Sequence, residues 1–108
     1  MIIDCHGHYT TTPPAVELYR NTQKELLKKD PDHIFEKGTI KLSDDEIRET
    51  IVSNQLKMQQ DRGTDLTIFS PRASWMGHHI GNASTSKAWT EQQNDLIKRV
   101  CDLFPKNF

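Results

Sequence analysis

Apolar residues gather in two short dense runs and three spaced series along the chain. Ile2-Ile3, two β-branched residues followed by a polar stretch, predict a buried strand near 2–6 whose C-terminal lip carries His6-Gly7-His8. Leu66-Thr67-Ile68-Phe69 predicts a second strand near 65–70, closed by Ser70-Pro71-Arg72. Pro13-Pro14 suits a first helical turn, where a missing N–H has no partner to lose, and Lys28-Lys29 suits the negative end of a helix dipole. These signals predict a mostly solvated helix near 13–29, ended by Asp30-Pro31. Residues 30–42, with Pro31, Gly38 and scattered apolar positions, read as an irregular, partly packed insertion.

Ser43-Asp44-Asp45-Glu46 is a sharper start signal, because Ser43 and Glu46 form a reciprocal capping pair. It opens a helix near 44–61 with Ile47, Ile51, Val52, Leu56 and Met58 as its apolar face and Gly63 as the left-handed residue past its end. Trp89, Leu96, Ile97, Val100, Leu103 and Phe104 recur at helical spacing in a last helix near 87–103, stopped by Pro105. The order strand, helices, strand, helix is that of a parallel βαβ unit, hence an α/β fold. In such folds the C-terminal strand ends carry the site, and both polar motifs, at 6–8 and 70–72, lie there. Residues 71–86 form a long polar, glycine-punctuated stretch that reads as a site loop.

Composition narrows the function. The chain has 108 residues, 34% of them hydrophobic and 27% charged, which predicts a small core. A net charge of −1, with both signs mixed along the sequence, gives no field for a nucleic-acid backbone or an anionic membrane. No apolar run approaches membrane-spanning length and the N-terminus lacks the basic and apolar regions of a signal peptide, so a cytoplasmic location is expected. Cys5 and Cys101 lack metal-type spacing, which argues against a zinc knuckle or a disulfide framework; Cys5 is expected to be a buried strand residue.

Strand side chains alternate, so His6 and His8 project the same way and both imidazoles can reach one metal ion, with Gly7 keeping the backbone open between them. The alternative is two solvent-exposed or locally bonded histidines, since His-x-His alone is a weak motif. His78 and His79 are adjacent and so face opposite sides of an extended chain, a poor arrangement for sharing a metal. Asp4 stands either as a hydrogen-bonding support of the lip or as a strand-end residue.

Ile2-Ile3-Asp4-Cys5-His6-Gly7-His8, the capped helix leading to Asp61-Arg62-Gly63-Thr64-Asp65, the stretch Phe69-Ser70-Pro71-Arg72-Ala73-Ser74 and the loop His78-His79-Ile80-Gly81 together resemble the amidohydrolase superfamily. Within it the last two stretches resemble the 4-oxalomesaconate hydratase family, in the branch that also holds aminocarboxymuconate-semialdehyde decarboxylases. The resemblance implies a metal-dependent (β/α)8 TIM barrel with zinc or another divalent metal at its C-terminal mouth. It implies a hydratase that adds water to the electron-poor C=C bond of a small tricarboxylate from aromatic-compound breakdown, and it is compatible with a homo-oligomer at full length. His6 and His8 are the metal ligands it implies; Arg72, Ser70, Ser74 and His79 are the substrate-binding candidates, with Arg72 the carboxylate contact. For Arg72 a surface or interface salt bridge is the competing reading.

A complete barrel takes eight strand and helix units in about 250 residues, whereas two strands are predicted here. The chain is therefore expected to be the N-terminal third of such an enzyme. The family's further histidine and carboxylate ligands and its acid/base residues would lie beyond residue 108, leaving the chain inactive alone. Decarboxylase or hydrolase chemistry on the same scaffold, or a non-catalytic fragment, are the alternatives, because a fold does not fix a reaction.

Overall fold

A computed structural model of the chain describes residues 1–72 and 75–108. The element order is β1 (Ile3–His8), α1 (Pro14–Lys29), α2 (Asp44–Ile51), a π-helical turn (Val52–Leu56), α3 (Lys57–Asp61), β2 (Leu66–Ser70) and α4 (Ala83–Leu103). β1 and β2 pair in parallel, joined by the helical crossover, as the hydrophobic pattern predicts. Among the described residues no helix is long and apolar enough to cross a membrane.

Local chemistry explains most boundaries. Pro14 starts α1 behind Pro13, and the Ser43–Glu46 capping box closes in both directions at the start of α2. Gly63, at φ +67°, turns the chain out of α3 in the conformation that glycine adopts without strain. α4 begins at Ala83, four residues before the expected start, because Asn82 and Thr85 form a second capping box. Its first turn, Ala83-Ser84-Thr85-Ser86, is polar and shows no apolar period.

The core is small. Val16 of α1, Ile47 and Ile51 of α2, and Trp89, Leu96 and Val100 of α4 meet Tyr9 and Met76 from the connecting segments. The expected stripe Ile47-Ile51-Val52-Leu56-Met58 is interrupted. Val52, at the start of the π turn, is exposed; the turn carries one more residue than an α turn and rotates the helix beyond it, so Met58 is exposed and Gln59 is buried instead. β-branched Val52 with Ser53 and Asn54 makes that stretch a poor α-helix interior.

The sheet has one covered face. Thr67 is buried and accepts a hydrogen bond from Gln59 Nε2, while Phe69 packs on Tyr9 and Phe108. Ile2, Ile3, Cys5 and Ile68 are exposed, which corrects the expectation of a buried first strand. A strand with β-branched residues is buried only where a second layer packs on it, and among the described residues none covers that side. Residues 30–42 are irregular as expected and are tied to α4: Arg99 donates to the Leu42 carbonyl, Gln92 to the Lys37 and Gly38 carbonyls, and Asn82 to that of His33. Past α4, the Asn107 carbonyl accepts the Thr67 N–H on the edge of β2 that faces away from β1.

Candidate metal centre

His6 and His8 meet at the C-terminal lip of β1, their Nε2 atoms 2.7 Å apart and their rings edge to face at 4.7 Å between centroids. His8 Nδ1 lies 2.7 Å from the Pro71 carbonyl and 3.0 Å from Ser70 Oγ. A carbonyl only accepts, so Nδ1 carries the proton and His8 Nε2 presents its lone pair outward. His6 Nε2–H then donates to that lone pair when both rings are neutral. Tying one ring nitrogen to a backbone carbonyl while the other faces a shared point is the arrangement metal-bound histidines use.

Alternation puts the two rings on one face, and an irregularity in β1 sets which face that is. Ile3 pairs with Leu66 and Asp4 with Thr67, but the next pairs are Gly7 with Phe69 and His8 with Ser70. Cys5 and His6 together therefore stand opposite Ile68 alone, one residue more on β1 than on β2: a β-bulge. Gly7 sits over the covered face, where a Cβ would come within 2.4 Å of Thr67 Cγ2. Its neighbours His6 and His8 consequently project to the open face.

Ser70 donates its hydroxyl proton to the Gly7 carbonyl (2.8 Å), so this substrate-binding candidate is engaged in holding the histidine lip. Beyond the lip, Tyr9 is buried and its hydroxyl bonds Thr50; burial pushes its pKa up against the lowering effect of that bond. Gln55, presented by the π turn, accepts from the Thr11 hydroxyl (2.8 Å) and donates to that of Thr10 (3.3 Å). Gln55 carries no signal in the sequence because its role depends on the irregular turn that aims it.

Arg72 is exposed and lays its guanidinium over the face of Trp75, 4.4 Å from the ring centre, the distance of a cation–π contact. It makes no ion pair among the described residues, so the competing salt bridge finds no partner there. Arg20 holds Trp75 from α1, its Nε donating to the Trp75 carbonyl at 2.6 Å. His79 is exposed and its ring fills the space a Cβ on Gly77 would need, 2.5 Å away. The His78 and His79 rings stand perpendicular, at 89° and 5.9 Å between centroids. Ser74 lies outside the described residues.

The donor set fits part of a metal site. Among the described residues no group of three or more His, Cys, Asp or Glu side chains is placed to hold a metal, so the chain offers two nitrogens of the three or four that a zinc site takes from protein.

No protein-family model matches the chain. A 2-keto-4-carboxy-3-hexenedioate hydratase from Sphingobium sp. (strain NBRC 103272 / SYK-6) is 50% identical over 109 residues, covering 100% of this chain. The crystal structure of 4-oxalomesaconate hydratase from Rhodopseudomonas palustris matches 100% of it at 48% identity with a TM-score of 0.80. The chain is closely similar to part of these hydratases. It spans 31% of the length of each, matching the N-terminal part of the larger hydratase structure.

Proposed function

We propose that the chain forms the first part of a metal-dependent hydratase built as an amidohydrolase-type (β/α)8 barrel, with His6 and His8 holding one divalent cation, zinc or another metal that imidazole suits. The identity of about half of all positions to two hydratases carries this reading. The converging imidazoles on the open face of β1 support the metal, and the parallel β1–β2 pair with its helical crossover supports the barrel.

The reaction proposed is addition of water to the C=C bond of 4-oxalomesaconate in aromatic-compound degradation, the substrate being a small tricarboxylate. A divalent cation held by His6 and His8 would supply Lewis-acid polarisation and a source of hydroxide near neutral pH. The chain's own residues bind and orient. His8 is locked in one tautomer by the Pro71 carbonyl and Ser70, so its Nε2 needs no rearrangement to donate its lone pair. Arg72, flat against Trp75, presents a planar fork of donors suited to a carboxylate. His79 and Ser74 are proposed as further loop contacts. The groups that exchange protons with substrate are proposed to come from other parts of the protein.

The experiment is a hydration assay of 4-oxalomesaconate with the gene-encoded protein, before and after chelation and zinc return. Activity lost with the metal and restored by it is expected. Full activity after chelation would remove the metal from the proposal, and absence of hydration by zinc-loaded protein would remove the substrate.

A further inference from the structure

The bulge in β1 has a sign that strand alternation alone does not supply. Asp4 pairs with Thr67, on the face covered by Gln59. Uninterrupted alternation from Asp4 would put His6 and His8 on that same face, against the helical layer. The extra residue opposite Ile68 reverses the phase and turns both rings outward. Such a bulge leaves a backbone amide without its ladder partner. Here the amide is answered: His6 N–H donates to Asp4 Oδ1 at 3.0 Å, a side chain bonding the backbone two residues on.

We infer that Asp4 is a positioning residue whose carboxylate oxygen locks the β1 bulge and thereby keeps His6 and His8 paired on the open face. The inference rests on the reading of these histidines as metal ligands. Asp4 acts through the backbone and not as a ligand itself, because its side chain takes the His6 amide and belongs to the Thr67 side of the strand. The lock is anchored downstream by Ser70, whose hydroxyl fixes the Gly7 carbonyl, and by the Pro71 carbonyl on His8. One carboxylate thus sets the face and two later contacts set the ring.

The test compares the wild-type chain with Asp4→Ala and Asp4→Asn, the latter keeping an oxygen acceptor without the charge. Two readouts need no metal: exchange protection of the His6 amide and the nuclear Overhauser contact between the His8 ring and the Ser70 side chain, which exists only with the ring on the open face. Zinc titration is the third. In Asp4→Ala the His6 amide should lose protection, the ring contact should vanish and zinc affinity should fall about tenfold, the scale of lost support around metal histidines; Asp4→Asn should restore all three. Retained ring contact and protection in Asp4→Ala would overturn the lock, as would equal losses in Asp4→Asn with circular dichroism unchanged. An unprotected His6 amide in the wild type overturns it without any variant, which covers failure of Asp4→Ala to fold. If zinc binds wild type and His6→Ala/His8→Ala alike, the ligand reading fails, while the amide and ring readouts still decide Asp4.

Discussion

Gln59 and Asn107 bind each other twice: Gln59 Nε2 donates to the Asn107 carbonyl and Asn107 Nδ2 donates to Gln59 Oε1, both at 2.8 Å. Gln59 also donates to Thr67 Oγ1, and the Asn107 carbonyl also accepts the Thr67 N–H at 2.9 Å. A buried amide from α3 therefore joins the segment after α4 to the edge of β2. Replacing Gln59 by Leu leaves Asn107 and Thr67 with unanswered polar groups, and a loss of about 2–3 kcal/mol is expected. Urea unfolding of Gln59→Leu, Asn107→Ala and the double variant checks it: the double variant should lose less than the two single losses added together, by at least about 0.5 kcal/mol.

Gly7→Ala places a methyl group 2.4 Å from Thr67 Cγ2 and 3.3 Å from Phe69 Cδ2. Overpacking of that kind costs about 1–3 kcal/mol. Denaturant unfolding should show that loss, and zinc titration should show weaker binding than wild type, since the strand must lift where it carries His6 and His8. Unchanged stability would mean the two strands separate freely at this point.

Arg72→Lys keeps the charge but loses the planar fork and most of the stacking on Trp75. In hydration assays of the gene-encoded protein kcat/KM should fall roughly ten- to a hundredfold, the equivalent of one charge-assisted hydrogen bond. Zinc content measured in parallel should be unchanged, which separates Arg72 from the histidines. Trp75 emission should also shift in the variant without substrate.

Acid should weaken the start of α2. Glu46 accepts from the Ser43 N–H (2.8 Å) and the Ser43 hydroxyl (2.9 Å), and these bonds, the backbone one foremost, hold its carboxyl below the usual carboxylate range. A carboxylate with a lowered folded pKa stabilises the fold above its unfolded value and loses that contribution as pH falls through the folded one. The stability difference between wild type and Glu46→Gln should be full near neutrality and shrink as pH drops below about 4. Urea midpoints measured from neutral to acid pH track it; a difference independent of pH would assign the cap to geometry alone.

Much of the fold is legible wherever one local rule acts by itself. Ser43-x-x-Glu46, Gly63 and the β-branched runs each point to one structure, and that structure is found. Legibility fails where a single residue changes the phase. Beyond the π turn Met58 leaves the core and Gln59 enters it. The direction of His6 and His8 is a similar case: simple alternation puts the two rings on one face, yet which face depends on an extra residue invisible to any periodic pattern. Asn82 capping with Thr85, not a Glu or Gln, hid the first turn of α4 among polar residues. Cys5 shows the remaining limit, since its burial depends on whether another layer lies over the strand.

The open face of the sheet, with Ile2, Ile3 and Ile68 exposed, gives the chain an unusual response to its solvent. Removing apolar surface from water is driven mainly by entropy near room temperature, so the tendency of that face to find cover weakens on cooling and strengthens on warming. Sulfate should act in the same direction as heat, and moderate urea in the opposite one. The chain should therefore stay dispersed longest in the cold and in low salt, and cloud reversibly as it is warmed below its melting range.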